Sequence, residues 1–211
     1  MFAKEIIVPK DKTLSHVRVK EAAKEEFLKE GYMKASMRKI GARAGMSQAG
    51  LYRHYPSKEL MFDALVAPAM QDLEVWHKRH RDSAYASLEN DADVNELFAD
   101  TNIDLMRDVV FKHKDEFRLI LNCSQGTKYE NFIHDFVRIE QKEMMVAFKK
   151  LADSGVYVKE ISEDELHMLI SAYDTALFEP IVHDWPIEKA LHGLEVAEEF
   201  FKPGWMKLMG Y

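Results

Sequence analysis

The sequence contains one cysteine, Cys123, among 211 residues. A single thiol excludes an internal disulfide and any zinc site built from several cysteines, and a reducing cytoplasm is the simplest compartment for such a chain. The sequence also lacks any run of about 18 apolar residues, so we expect no membrane-spanning helix. The N-terminus, MFAKEIIVPKDK, alternates charges with short apolar pieces and has no continuous apolar segment of the kind found in secretion signals.

The motifs that most specifically indicate catalysis or nucleotide binding are missing too. There is no H-E-x-x-H, no G-x-S-x-G, no phosphate-binding loop and no G-x-G-x-x-G. His77 and His80 lie close together on a predicted helix and could share a metal. However, Lys78, Arg79 and Arg81 surround them with positive charge, which favours a solvated face. We therefore predict no metal, no cofactor and no enzymatic activity.

The negative charge of the chain is unevenly distributed. The formal net charge is −7, but residues 1–60 hold thirteen Lys and Arg against seven Asp and Glu, a charge of +6. Residues 61–211 hold sixteen against twenty-nine, a charge of −13. A basic N-terminal region is a candidate surface for phosphate, whereas DNA would repel the acidic remainder, so any contact with nucleic acid is expected at one end only.

The apolar residues recur at helical spacing almost throughout, with little sustained alternation of period two. The sequence therefore predicts an all-α fold of about nine helices. We place a compact three-helix head in residues 1–60 and a larger helical body in residues 61–211. Ser36, Ser47 and Ser57 are predicted N-caps in the head, and Ser162 with Glu165 is a predicted capping box in the body. The predicted helices are about 14–29, 36–44, 47–55, 60–80 with a kink at Pro68, 93–114, 116–123, 129–151, 162–183 and 186–201, with a polar loop at 83–92.

The stretch AGMSQAGLYRHYPSKE contains a short helix with little apolar surface. If Ser47 is its N-cap, Leu51 and Tyr55 lie on one face and can close the small core of the head. Gln48, Ala49, Tyr52 and Arg53 then lie on the other face. One interpretation is a small surface helix whose polar side is merely solvated. The other is a helix-turn-helix whose second helix enters the major groove of DNA.

Each residue type on that outer face suits a particular part of the duplex. Gln48 can pair with an adenine edge, Arg53 with a guanine or a phosphate, and Ala49 can lie against a thymine methyl. Donors at the ends of the helix can hold phosphates and so fix its position on the duplex. The predicted DNA-contacting set is Ser36, Arg38, Ser47, Gln48, Ala49, Tyr52, Arg53, His54 and Lys58.

Residues 36–62, SMRKIGARAGMSQAGLYRHYPSKELM, resemble the DNA-binding region of the TetR family of transcriptional regulators. The resemblance is strong over about residues 14–65. It departs from the family pattern at Gly41, where alanine is usual and where glycine loosens the helix by roughly 1 kcal/mol. Met46, Tyr55 and the pair Ala49-Gly50 are further departures. The matching positions are Ala23, Phe27, Gly31, Tyr32, Ile40, Ala44, Gly45, Ser47, Leu51, Tyr52, His54, Ser57, Lys58, Glu59 and Leu60.

The resemblance implies a DNA-binding regulator, usually a repressor, that works as a homodimer on a palindrome. It also implies that a small molecule bound in the body releases the protein from DNA, and the residue types favour a hydrophobic effector. The expected pocket lining is Trp76, Met106, Leu119, Asn122, Cys123, Phe132, Phe136, Ile139 and Tyr173. The dimer interface is expected on the last two long helices, at Leu166, Ile170, Tyr173, Leu177, Leu191, Leu194, Ala197 and Phe201.

Two other functions remain open at this point. The first is an all-helical enzyme acting on a hydrophobic substrate in the body pocket, for which the sequence offers carboxylates but no motif that pairs an acid with a base. The second is a protein-binding regulator in which the head has lost affinity for DNA and the acidic body recruits a basic partner. The charge of +6 on the head disfavours that loss.

Overall fold

The computed structural model describes residues 12–89 and 101–210, and this part of the chain folds into helices joined by turns and irregular segments, without a strand. The predicted all-α class is confirmed. None of the helices described is both long and apolar enough to cross a lipid bilayer. The nine helices in these two ranges are α1 (Lys12–Lys34), α2 (Met37–Arg43), α3 (Gln48–His54), α4 (Lys58–Glu89), α5 (Thr101–Asp104, continued by a π-helical stretch over Leu105–Val110), α6 (Lys114–Cys123), α7 (Phe132–Asp153), α8 (Glu163–Val182) and α9 (Ile187–Leu208).

The head consists of α1, α2, α3 and the start of α4, packed around a few fully buried side chains. Phe27 of α1 and Phe62 of α4 meet edge to face, with ring centroids 5.2 Å apart. Ile40 of α2 and Leu51 of α3 complete this core, and neither is exposed to solvent. The apolar sides of these four helices therefore meet at one point, and the seven-residue helices α2 and α3 are held by this packing rather than by their own length.

A buried carboxylate fixes the start of α2. The backbone N–H of Ser36 donates to Oε1 of Glu26 at 3.2 Å, and only 1% of Glu26 is exposed. Two cations of α2 lie at the same carboxylate, Lys39 at 3.9 Å and Arg43 at 4.0 Å. Glu26 thus joins α1 to both ends of α2. In the sequence it looks like an ordinary helix-surface charge, because its partners are distant along the chain.

The body is continuous with the head rather than merely tethered to it. The long α4 leaves the head and enters the body, while α1 packs along α6, where Lys24 and Glu116 approach to 2.7 Å. One apolar cluster extends from Phe27 in the head to Phe178 in the body. A second cluster lies between α7, α8 and α9 around Leu166. Because the first core crosses residue 60, the division of the chain at that residue stays a prediction.

Three boundaries differ from those expected from the sequence. Residues 83–89 continue α4 instead of forming a loop, and contacts such as Lys150 over the Tyr85 ring at 5.1 Å hold this polar end. The last helix continues to Leu208 rather than ending near residue 201, because Trp205 is buried in the second cluster beyond Pro203. A π-helical stretch replaces the middle of the helix expected over 93–114. The capping pair expected at Asp93 and Glu96 lies outside the described residues.

Several predicted helix ends are confirmed. Ser36 and Ser47 cap α2 and α3, and the hydroxyl of Ser57 accepts from the N–H of Leu60 at 3.0 Å. Ser162 and Glu165 form the full capping box before α8. These ends were predictable because each depends on residues within four positions of one another.

We predict that Glu26→Ala lowers the free energy of unfolding by about 2 kcal/mol, because it leaves the partly buried N–H of Ser36 without its acceptor and removes the buried carboxylate that Lys39 and Arg43 approach. Urea unfolding followed by circular dichroism measures the loss. The control is Glu25→Ala, whose side chain is 67% exposed and which only pairs with Arg43 at the surface, so its cost should stay below about 1 kcal/mol. Equal effects of the two variants would contradict the anchoring role of Glu26.

Candidate nucleic-acid interface and ligand cavities

A tight glycine-bearing turn sets the angle between α2 and α3. Gly45 has a φ of 70°, a left-handed conformation that favours glycine. The N–H of Met46 then donates to the carbonyl of Gly41 at 2.9 Å. A Cβ at Gly41 would lie 3.2 Å from the Met46 carbonyl oxygen, which is a tight contact. Gly41, one of the departures from the family pattern, therefore lets the turn lie close against α2.

The inner side of α3 is fixed by two buried residues and a cap. The Ser47 hydroxyl accepts from the N–H of Gly50 at 3.1 Å. Leu51 is fully buried, and Tyr55 is 6% exposed. The Tyr55 ring stacks on His16 of α1 at 5.7 Å, and its hydroxyl lies 3.3 Å from Nε2 of that histidine. These contacts determine which face of α3 points outward.

The outer side of α3 carries the polar strip expected from the sequence. Gln48, Ala49, Tyr52, Arg53 and His54 are all exposed. Among the described residues, the side chains of Gln48, Tyr52 and Arg53 make no hydrogen bond or ion pair that would hold them to the protein. Of the remaining residues in the predicted set, Arg38 and Ser47 are exposed and Ser36 is half-buried. The strip is therefore accessible to a ligand, and its contact with DNA stays a prediction.

Lys58 has a different environment from the one expected of a phosphate contact. Its ammonium donates to the carbonyls of Tyr32, Met33 and Ala35, at 2.7, 3.2 and 3.4 Å. It also lies 4.6 Å from the centroid of the Tyr32 ring, and partial burial lowers its pKa. These groups end α1 just after Gly31, whose φ of 72° breaks the helix. Lys58 thus caps α1 inside the head, a role invisible in the sequence because its partners lie about 25 residues away.

An apolar groove of about 760 Å³ lies between α4 and α7. Three residues of the expected lining, Phe132, Phe136 and Ile139, border it. The side formed by α4 was not expected from the sequence, although its groove-facing residues recur at helical spacing. That side consists of Ala67, Met70, Gln71, Leu73, Glu74 and His77.

The other expected lining residues are dispersed. Trp76 and Tyr173, together with Phe136, border a separate cavity of about 110 Å³ between α4, α5, α7, α8 and α9. Met106, Leu119 and Cys123 are buried in the main core. Asn122 is exposed and donates to the carbonyl of Val182 at 3.1 Å. Neither the groove nor the smaller cavity is bordered by Met106, Leu119, Asn122 or Cys123. Their positions therefore give no support to the expectation that they bind an effector.

His77 is also placed differently from expectation. Its side chain is only 15% exposed, and Nε2 donates to Glu140 at 2.9 Å, with Glu143 at 3.4 Å. The hydrogen bond to Glu140 raises its pKa despite burial. It is therefore a paired histidine at the edge of the groove rather than part of a solvated face. Within residues 12–89 and 101–210, no group of His, Cys, Asp and Glu side chains has an arrangement that could hold a metal ion.

Half of the expected dimer interface lies in the core of the single chain. Leu166, Ile170, Leu177 and Leu194 are at most 3% exposed, because they form the side of α8 and α9 that packs against the rest of the body. Tyr173, Leu191, Ala197 and Phe201 are half-buried. The apolar residues that α8 and α9 expose are instead Met168 at 61%, Val196 at 53% and Phe200 at 77%.

A helix-turn-helix head on a helical body with an apolar groove defines a class of fold, the all-α proteins with a helix-turn-helix at one end. Residues 20–65 match the family model of the bacterial regulatory proteins of the TetR family. Residues 20–65 thus carry the sequence pattern of that family, which confirms the resemblance found in the sequence.

Solved structures extend the similarity of fold over nearly the whole chain. PfmR, a TetR family transcriptional regulator from Thermus thermophilus, is 19% identical with a TM-score of 0.54, covering 92% of this chain and 98% of that one. NalD of Pseudomonas aeruginosa, described as the secondary repressor of the MexAB-OprM multidrug efflux pump, is 20% identical with a TM-score of 0.54, covering 90% and 97%.

A curated relative matches over a short region only. The nucleoid occlusion factor SlmA of Serratia proteamaculans (strain 568) is 36% identical in a 58-residue alignment that covers 23% of this chain and 29% of that protein. The likeness therefore spans less than a third of the relative's length.

We predict that Lys58→Met lowers the free energy of unfolding by roughly 1.5 kcal/mol, because three carbonyls at the end of α1 lose their donor. Thermal or urea unfolding measures this. The control, Lys34→Met, removes an exposed lysine from the same end of α1 and should change the stability by less than about 0.5 kcal/mol. If Lys58→Met keeps its stability but binds every duplex more weakly, Lys58 contacts phosphate and the capping role is wrong.

Proposed function

We propose that the protein represses transcription by binding a palindromic DNA operator as a homodimer, and that a small hydrophobic effector releases it. The observation that carries this proposal is the outward polar strip of α3, held in place by the burial of Leu51 and Tyr55 beneath it. This strip lies on the end of the chain with a formal charge of +6, so the groups that read bases and the charge that attracts phosphate coincide.

The chemistry of the strip suits direct reading of base edges. Gln48 presents an amide that can pair bidentately with adenine, and Arg53 can pair with guanine or with a phosphate. Ala49 between them is small enough for a thymine methyl to approach. Tyr52 and His54 lie on either side of Arg53 in the chain. Both are exposed, as groups that contact the phosphate backbone must be.

The body offers an apolar face for a second copy of the chain. Phe200 and Val196 lie four positions apart on α9, so they share one face, and Met168 is exposed on α8. Large apolar side chains exposed together on two helices that already pack against each other are typical of an interface. A dyad between two copies would present two α3 helices to two half-sites of a palindrome.

The groove between α4 and α7 is the site we assign to the effector. Its lining is mostly apolar and includes the aromatic side chains of Tyr129, Phe132 and Phe136, which suits a hydrophobic molecule. Tyr129 also contacts Phe62 in the core of the head, with ring centroids 6.1 Å apart. A ligand that moves Tyr129 or α4 would alter the head as well, so ligand and DNA weaken each other's binding reciprocally.

The two alternative functions, an enzyme and a protein-binding regulator, predict different results in a DNA-binding experiment. An enzyme would process a substrate in the absence of DNA, and a protein-binding regulator would retain no duplex. Selection of bound sequences from random duplexes therefore separates the regulator from both.

We predict that the purified protein retains a palindromic sequence with an affinity that falls steeply as salt rises. Gln48→Ala should relax the preference at one position in each half-site, at a cost of about 1–3 kcal/mol per contact. Binding, partition and sequencing of random duplexes measures both effects. Gln125→Ala, which removes an exposed glutamine from the body, is the matched control and should leave the selected sequence unchanged. An unchanged preference in Gln48→Ala would show that the groove-facing side of α3 is misassigned.

We predict that sedimentation equilibrium gives the wild-type protein twice the chain mass of 24.5 kDa, and that Phe200→Glu shifts it to the single-chain mass. A carboxylate at the centre of an apolar interface would have to be buried without a partner. The control is Tyr157→Glu, because Tyr157 is 76% exposed and lies outside α8 and α9. A dimer that survives Phe200→Glu, or a wild-type protein that is already a monomer, would contradict the proposed interface.

A further inference from the structure

The small cavity of about 110 Å³ in the body is lined by aromatic side chains and carboxyl groups, unlike the mostly apolar groove. Its walls are contributed by α4, α5, α7, α8 and α9, so it lies where the long helices converge. Four aromatic rings border it, and they belong to Trp76, Phe136, Tyr173 and Trp205. An aromatic lining presents the negative faces of its π systems, which attract positive charge.

A buried carboxyl group points into the same cavity. Asp174 of α8 borders the cavity and is 3% exposed, and its Oδ2 is buried without a hydrogen-bond partner among the described residues. Burial, and after it the charge of Glu140, raises the pKa of Asp174 to about 8. A buried carboxyl group without a hydrogen-bond partner destabilises the fold, and such groups in native structures call for an explanation, for example a bound ligand.

The remaining polar groups around the cavity add negative rather than positive charge. Glu140 accepts from His77 at 2.9 Å, and Glu198 accepts from the hydroxyl of Tyr173. Burial and the hydrogen bond to Glu198 raise the pKa of Tyr173, so its proton stays on the hydroxyl. The imidazole of His80 stacks on Trp76 at 5.0 Å, and burial lowers its pKa. Among the described residues, no lysine or arginine borders the cavity.

We propose that this cavity binds an organic cation, namely a primary ammonium group on a short alkyl chain, with the ammonium at Asp174 and the chain between the aromatic rings. The ammonium would donate to the unpartnered oxygen of Asp174, with Glu140 and Glu198 adding attraction on either side. This site is independent of the proposed function, because the binding of the cation is measured without DNA.

Binding of the cation is expected to depend on pH through Asp174. The cation binds the ionised carboxylate, so below the pKa of Asp174 its binding must displace a proton. The affinity therefore falls as the pH falls, by roughly 25-fold between pH 8.5 and pH 6.5 for a pKa of about 8. The titratable groups that face Asp174 are His80 of α4, Glu140 of α7, Tyr173 of α8 and Glu198 of α9.

The hydrogen bond to Glu140 raises the pKa of His77, so His77 is a second group whose charge near the cavity changes with pH. His77 lies behind Glu140 and is close to Glu143, and the loss of its charge at higher pH would also favour a cation. The two contributions are separated by removing the carboxyl group of Asp174 alone.

The experiment is a calorimetric titration of the full-length protein with butylammonium chloride at pH 8.5 and pH 6.5, with tryptophan fluorescence as a second readout. Trp76 and Trp205 border the cavity, so both signals should respond. We expect butylammonium to bind at pH 8.5, butan-1-ol of the same length to bind at least about tenfold more weakly, and Asp174→Asn to lose about tenfold or more in affinity for butylammonium together with most of the pH dependence.

The matched control is Glu199→Gln, which removes an exposed carboxylate next to Glu198 that does not border the cavity, and it should bind as the wild type does. If Asp174→Asn does not fold, Glu198→Gln replaces it and should weaken binding of butylammonium at pH 8.5. Equal binding of butan-1-ol and butylammonium would mean that the cavity takes a neutral donor or water instead. That result, or no binding of butylammonium at pH 8.5, would overturn the proposal.

Discussion

The burial of one side of a seven-residue helix decides what this protein can present to a partner. A helix as short as α3 is not stable by itself in water. It is held by the Ser47 cap, by Leu51 with no exposed surface, and by Tyr55 stacked on His16. Burying a side chain of the size of leucine contributes about 1.5–3 kcal/mol, which a rotation of α3 would forfeit. The polar strip is therefore exposed because the opposite side of α3, with Leu51 and Tyr55, is buried in the core of the head.

The same helices that hold α3 connect it to the body. Phe62 belongs to the core of the head, yet its ring lies 6.1 Å from Tyr129 at the edge of the groove, and the neighbouring Asp63 pairs with Lys128 at 2.8 Å. The groove and the outward strip of α3 are thus two ends of one packed assembly. Close-packed interiors transmit displacement rather than absorb it, so the contacts between Tyr129 and Phe62 would connect the proposed effector in the groove to the head.

Features determined by neighbouring residues could be predicted from the sequence, and features determined by distant ones could not. The caps at Ser36 and Ser47 and the two faces of α3 follow from spacing within a few positions. The roles of Glu26 and Lys58 depend on partners 10 to 26 residues away. The sequence therefore indicated a surface charge at Glu26 and a DNA contact at Lys58. The sequence predicts Leu166 and Leu194 at an interface because periodicity identifies an apolar side of a helix but not what covers it. In the structure, other helices of the same chain cover both residues. The cavity at Asp174 joins five helices, and no local pattern signals it.

The central claim, that the outer side of α3 enters the major groove, is tested most directly by cross-linking at Ala49. In a Cys123→Ser background, Ala49→Cys is incubated with the selected duplex carrying a disulfide-tethered thiol on a major-groove base edge, and Val17→Cys on the exposed side of α1 serves as the reference. We predict that Ala49→Cys cross-links rapidly at one base position in each half-site and that Val17→Cys does not. Cross-linking at Val17→Cys with none at Ala49→Cys would contradict the claim.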